Sequence, residues 1–259
     1  MVRFPTGRLF RHHCVLIVVL LVLHLISRVV YFARGEESYL MSAFNFLEET
    51  SVPTVVSTAA LLAAAAVAGL IAAHARQNAA GLAGGWTVIA LCLAFVAVDE
   101  GAGLHDRLSI PLQRLFATSG VFYIGWILPY LALVALVALR CVPLLFKLPR
   151  RTTLRLVAAG ALYVAAAMGL EMAESLVMYG TAGEGVALAD IDLHSIDRTP
   201  LMIGLVTVEE VGEMLAVALL LRALLLHLVG DLGVSAVALQ GPGGRPVVAA
   251  GAGIWGERA

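Results

Sequence analysis

Charge is scarce in this sequence. Only 14% of its 259 residues are Asp, Glu, Lys or Arg, against 61% hydrophobic residues. That balance excludes a disordered chain, which cannot be so apolar, and a nucleic-acid binder, which needs a basic surplus. Cysteine is almost missing. Cys14, Cys92 and Cys141 are scattered through apolar runs and make neither a disulfide framework nor a C-x-x-C metal site, so they read as packing residues. No Walker A, Rossmann glycine motif, H-E-x-x-H or G-x-S-x-G occurs. No repeat of fixed period stands out.

What is present is hydrophobic length. Mean hydropathy is +0.94, and a bilayer-spanning helix takes about 20 mostly apolar residues. Six stretches qualify, roughly 14–33, 53–75, 85–105, 121–146, 153–179 and 201–229. A membrane β-barrel would alternate over ~10-residue segments. Continuous runs such as Ala59 to Leu70 fit helices instead. The predicted fold is all-α, a six-transmembrane-helix bundle forming one domain over residues 1–229. Residues 230–259, Gly/Ala-rich with Gly241-Pro242-Gly243-Gly244, read as a flexible cytoplasmic tail. The start resembles a signal peptide, but its apolar run is too long and no A-x-A site follows, so it reads as an uncleaved first helix.

Basic residues favour the cytoplasmic side. Arg3, Arg8, Arg11, Arg76, Lys147, Arg150, Arg151, Arg155 and Arg222 share one side if both termini are cytoplasmic. This predicts a multi-pass protein of a bacterial inner membrane. The formal net charge of −1 conceals a strong polarity. The outer half and outer loops hold sixteen acids and five bases, or −11; the inner half and tail hold twelve bases and two acids, or +10.

Three helices carry acids inside their apolar runs: Asp99 and Glu100, then Glu171 and Glu174, then Glu209, Glu210 and Glu213. Ionisable groups within spans cost a few kcal/mol each and point to function by default. At a rise of 1.5 Å per residue, these lie roughly 8–12, 8–14 and 12–18 Å inside the outer ends of their helices. Helices of opposite direction thus place acids in one outer-leaflet layer. Glu171/Glu174 and Glu210/Glu213 are i,i+3 pairs and Glu209/Glu213 is i,i+4, so each set shares a face. On a regular helix His105 points away from Glu100. Gly101 and Gly103 permit either a distortion that reunites them or the close approach of a neighbouring helix.

Few cations share this layer: His105, Arg107 and, on the first helix, Arg28 with His24 below it. The acids must therefore be protonated or neutralised by bound cations. The sharper reading is a metal site of carboxylates and one or two histidines, as bundle cores build them. Its candidate ligands are Glu49, Asp99, Glu100, His105, Asp106, Glu171, Glu174, Glu209, Glu210 and Glu213. A proton or ion pathway and neutral structural hydrogen bonding are the other readings. The pairs are Glu-x-x-Glu, not the Glu-x-x-His of soluble di-iron bundles, and the set does not distinguish Fe, Mn, Zn, Mg or Ca.

Other residues have plainer readings. Glu48 and Glu49 precede Pro53 and suit the cap of the second helix. Asp190, Asp192 and His194 fit a solvated outer loop, and His74 and His227 an interface. Trp86, Tyr123, Trp126, Tyr130 and Tyr179 fit aromatic belts. The segment 106–120, with Arg107, Leu108, Ile110, Leu112 and Leu115, reads as a short amphipathic piece on the outer surface.

The run Glu49-Thr50-Ser51-Val52-Pro53-Thr54, followed after a long helix by Asp99-Glu100-x4-His105-Asp106, resembles an uncharacterised family of bacterial polytopic membrane proteins. That family carries E-x-x-[IV]-P-T and D-E-x4-H-E, and Asp106 stands where it has Glu. The resemblance covers the first half of the chain. It implies that Glu49, Asp99, Glu100 and His105 form one constellation, and it implies no particular reaction.

The function expected is that of a metal-binding membrane protein, a metal-dependent enzyme acting on a lipid, quinone or other hydrophobic substrate within the bilayer. The alternatives are a proton- or cation-coupled transporter, or a non-catalytic subunit held to other membrane subunits by its acids. No nucleic acid is expected.

Overall fold

The structure is a computed structural model and describes residues 2–3, 5–35, 39–48, 50–183, 185–192, 196, 199–238 and 247–250. Six helices are long and apolar enough to cross a membrane: α1 (Thr6–Arg34), α2 (Val52–Asn78), α3 (Ala80–Ala102), α5 (Ile127–Leu145), α6 (Arg150–Ala182) and α7 (Pro200–Asp231). The amphipathic α4 (Leu104–Phe116) lies between α3 and α5. The expectation of six apolar helices holds, and they are those of a multi-pass membrane protein.

The ends differ from the sequence reading where local chemistry intervenes. α1 starts at Thr6, because Arg8, Arg11, His12 and His13 extend the helix without interrupting it. α2 is capped by Ser51, whose Oγ accepts from the Thr54 N–H at 3.4 Å, with proline in the first turn. The capping role expected of Glu48 and Glu49 therefore falls to Ser51. α3 stops at Ala102 because Gly103 is left-handed (φ 55°), a conformation glycine adopts without penalty. His105 and Asp106 thus open α4 and do not close α3.

α7 is the central helix. Half of its apolar stretch is buried, against 17–39% for the other five. It packs on α1, α2 and α6, while α2 and α3 form a tight antiparallel pair. The α2 face is small, with Ala60, Ala64, Ala68 and Ala72 buried. Small residues let helices approach where no hydrophobic force drives them together. Gly212 of α7 is one such contact: a Cβ there would stand 2.9 Å from that of Ala166 on α6. Outward, Val18, Val29, Val55, Leu91, Leu136 and Leu139 are exposed, as lipid-facing positions are.

Short segments before α1 and after α7 meet at one end of the bundle. Val234–Ala238 pairs antiparallel with Val2–Arg3 and with Val247–Ala250. The remainder of the expected tail, 239–246 and 251–259, lies outside the described residues.

Beside that end, Trp86 and His227 are buried and stack at 5.1 Å. His227 Nδ1 lies 2.7 Å from Asp231 Oδ2, which also accepts from Thr152 Oγ1 at 2.5 Å. His227 stands in the last turns of its helix, as expected, but faces the bundle, where Asp231 meets its Nδ1.

Candidate functional site

α6 is not regular. A π-helical turn, Ala165–Leu170, directly precedes Glu171. Such a turn adds a residue and re-aims the side chains after it. The close crossing at Gly212/Ala166 brings α7 against this turn, between Glu209 and Glu213. Glu171, Glu174 and Glu209 consequently each place a carboxylate oxygen within 4.8 Å of the others. Among the described residues they are the one group of three acidic, histidine or cysteine side chains this close. Glu174 and Glu209 are buried. Trp126 Nε1–H donates to Glu171 Oε1 at 3.1 Å and fixes its rotamer. The Ile124 N–H donates to Ser175 Oγ at 2.9 Å, which ties the loop bearing Trp126 to α6.

Asp99 organises a second group. Its Oδ1 accepts from the His105 N–H at 3.0 Å and from the Tyr130 hydroxyl at 2.8 Å. His105 Nδ1 lies 3.1 Å from Asp99 Oδ2 and Nε2 lies 3.7 Å from Asp106 Oδ1. The Gly103 break folds the imidazole back onto Asp99, which a continuous helix forbids. Gly101 serves the other expected purpose, since a Cβ there would stand 3.1 Å from Thr58 Oγ1 on α2. The Trp126 ring lies 5.1 Å from that of His105 and 4.8 Å from that of Tyr130, so it joins both groups.

His105 lies outside the spanning helices. Burial works against its charged form, but the hydrogen bond to Asp99 and the charges of Asp106, Asp99 and Glu171 outweigh this and push its pKa up to about 10. Glu100, near the end of α3, also interacts with its charge. The acids around His105 thus favour its imidazolium form. Because the folded value lies above the ordinary histidine value of 6.5, the stabilisation is complete below about pH 6.5 and disappears as pH rises through about 10. Wild type should melt above His105→Gln in detergent at pH 6.5, and the gap should close by pH 10.5. A gap independent of pH would refute this pairing.

A third group holds Glu100, Glu213 and Tyr163, which interact electrostatically, with Glu210 nearby. All three groups line one cavity of about 860 Å³. Asp99, Glu100, His105, Asp106, Glu171, Glu174, Glu209, Glu210 and Glu213 all contribute to its wall. Glu48 stands at its rim, while Glu49 lies outside the described residues. The α4 segment adds Asp106, Ser109 and Ile110 to the wall beside the acids.

Two expected cations are engaged elsewhere. His24 is buried and stacked on Phe46; Nδ1 accepts from the Phe46 N–H at 3.1 Å. Thr207 Oγ1 donates to the Ile203 carbonyl, so it accepts from His24 Nε2 at 3.0 Å. Those bonds assign a neutral imidazole. Arg28 donates to Ser27 Oγ and lies over the Tyr31 ring. Asp190 and Asp192 are exposed, and His194 lies outside the described residues.

The sequence reading missed Trp126, Tyr130 and Tyr163. It assigned the first two to an aromatic belt, but they are hydrogen-bonded to acids inside the bundle. A signal was present: polar-tipped aromatics stand within apolar runs at the depth of the acids, where a hydroxyl or indole N–H needs a partner.

The family described as "Domain of unknown function (DUF8692)" matches residues 13–228. The chain belongs to this family. The match runs from within α1 to the last turn of α7 and includes every residue of the acid layer. The expectation of an uncharacterised family is thus met. No curated protein and no solved structure matches the chain.

Proposed function

We propose that this protein binds a divalent metal ion through Glu171, Glu174 and Glu209 and acts on a hydrophobic substrate inside a bacterial inner membrane, with both termini cytoplasmic. The observation carrying this reading is the approach of three carboxylates from two helices to within 4.8 Å. Like charges held so close in an apolar bundle need protons or a cation. The donor set fits a metal: three oxygens at this spacing suit hard ions such as Mg²⁺, Mn²⁺ or Ca²⁺ better than Zn²⁺. Such an ion, when bound, would polarise a substrate oxygen.

The chain's own residues do the rest. Trp126 orients Glu171. Tyr130 and His105 hold Asp99, and His105 presents positive charge beside the acids. α4 walls the cavity beside the acids and limits water. A proton or cation relay would need polar lining on both sides of the acid layer, yet the lining on the inner side includes Val137, Val157 and Leu220. That favours binding chemistry over transport.

Elemental analysis of detergent-purified protein tests the reading. About one divalent ion per three-carboxylate group is expected, and a chelator should lower the melting temperature, since a ligand at 100 times its Kd stabilises by about 2.7 kcal/mol. Metal-free protein whose stability ignores chelator would sink it.

A further inference from the structure

The cavity is larger than the acid layer requires. Its outer end holds the carboxylates, His105 and Tyr130; a limb continues inward between Leu133, Val137, Val142, Val157, Ala161 and Leu220. From Asp99 to Cys92 on α3, and from Glu213 to Leu220 on α7, the lining extends roughly 10 Å beyond the acids at 1.5 Å per residue. The limb is also open at its side. α5 rests on α3; it meets α6 toward its two ends, where Ile127 and Val134 share a hydrophobic cluster with Met168 and Val164 and where Thr153 Oγ1 donates to the Leu145 carbonyl at 2.9 Å, and the limb lies between. Leu133, Val142 and Val157 line the limb yet are 37%, 41% and 47% exposed, so no side chain closes over them. Gly160 forms part of the wall, and a Cβ there would meet nothing within 4 Å.

Protein interiors pack like organic crystals, and an empty apolar space forfeits its contacts. Water is a poor occupant, since it needs two or more polar partners and the limb lacks them. A flexible apolar chain meets both demands. A volume of about 860 Å³, apolar along the limb and polar at the acid layer, is that of a small-molecule site.

We propose that the limb holds one hydrocarbon chain of a membrane amphiphile, which enters sideways between α5 and α6 and places its polar head at the acid layer. This rests on the proposed metal-centred function for the chemistry at the head and is independent of it for the chain. It narrows the substrate from any hydrophobic molecule to one with a long alkyl or isoprenoid tail.

The test is photolabelling of the full-length protein in detergent with palmityl alcohol bearing a mid-chain diazirine, mapped by mass spectrometry. Label should concentrate on the limb segments 133–142 and 157–161. Excess unlabelled palmityl alcohol should abolish it, and butanol should not. Gly160→Phe fills the limb and should reduce the label about tenfold or more, because overpacking opposes entry. Leu136→Phe, on the exposed outer face of α5, should leave it unchanged. Label no denser on the limb than around Val22 and Val29 of α1, or insensitive to excess unlabelled alcohol, overturns the proposal whether or not Gly160→Phe folds. Metal content in the same samples separates the two readings. Limb label without metal retires the metal centre alone; metal without limb label retires the chain site alone.

Discussion

Glu171→Gln, Glu174→Gln and Glu209→Gln should each weaken divalent-ion binding by about a hundredfold or more, beyond the 10–100-fold loss typical when a residue merely supporting a metal site is changed. Glutamine keeps the side-chain volume but removes the charge and one acceptor oxygen. A set of three oxygens has none to spare. Glu210→Gln lines the same cavity outside the group and should change affinity by less than about tenfold. Trp126→Phe, which frees Glu171 from its indole N–H, should fall between them. Calorimetric titration with Mn²⁺ and Ca²⁺ in micelles gives these values. The same variants separate a metal site from structural hydrogen bonding by the sign of their stability change. With chelator present, each neutral variant should be as stable as wild type or more so, because close like charges repel. With metal present, the order should reverse. Binding that survives all three substitutions together would remove the centre.

Asp99→Ala should cost about 1–3 kcal/mol of stability, the penalty for leaving buried donors without their acceptor. Asp99 satisfies a backbone N–H, the His105 ring and the Tyr130 hydroxyl. Its side chain is only 10% exposed, so water does not replace it. Tyr130→Phe removes one neutral donor and should cost about 1 kcal/mol. His105→Gln in the Asp99→Ala background should recover part of the loss, because a cation left with the more distant Asp106, at 3.7 Å, is gone. Thermal melting in detergent at pH 7 measures all three. An Asp99→Ala protein within about 1 kcal/mol of wild type would show that the pair is solvated and that the Gly103 fold-back does not hold it.

Much of this was legible in one dimension. A span must be apolar for its whole length, so six runs declare six helices. Acids inside those runs are conspicuous because lipid makes them costly, and counting residues from the helix ends gives their common depth. The helix break was half legible: Gly103 permits it, but only the folded chain shows His105 returning to Asp99. The π-helical turn before Glu171 left no mark, since Ala165–Leu170 reads as an ordinary apolar helix. Trp126 and Tyr130 were misplaced because an aromatic near a helix end suits both a lipid interface and a buried hydrogen bond, and the partner decides.

The helical class, the six long apolar helices and the layer in which the acids stand follow from the order of residues alone, because hydrophobic length and depth are properties of each helix. Which acids meet was decided only by tertiary structure. Seven of the ten candidate ligands divide into a Glu171/Glu174/Glu209 group, an Asp99/His105 pair joined by Tyr130, and Glu100 with Glu213, which interact electrostatically beside Tyr163. That partition depends on helix rotation and crossing, set here by the π-helical turn and by Gly212 against Ala166. Those are contacts between distant segments, and no local period in the chain encodes them.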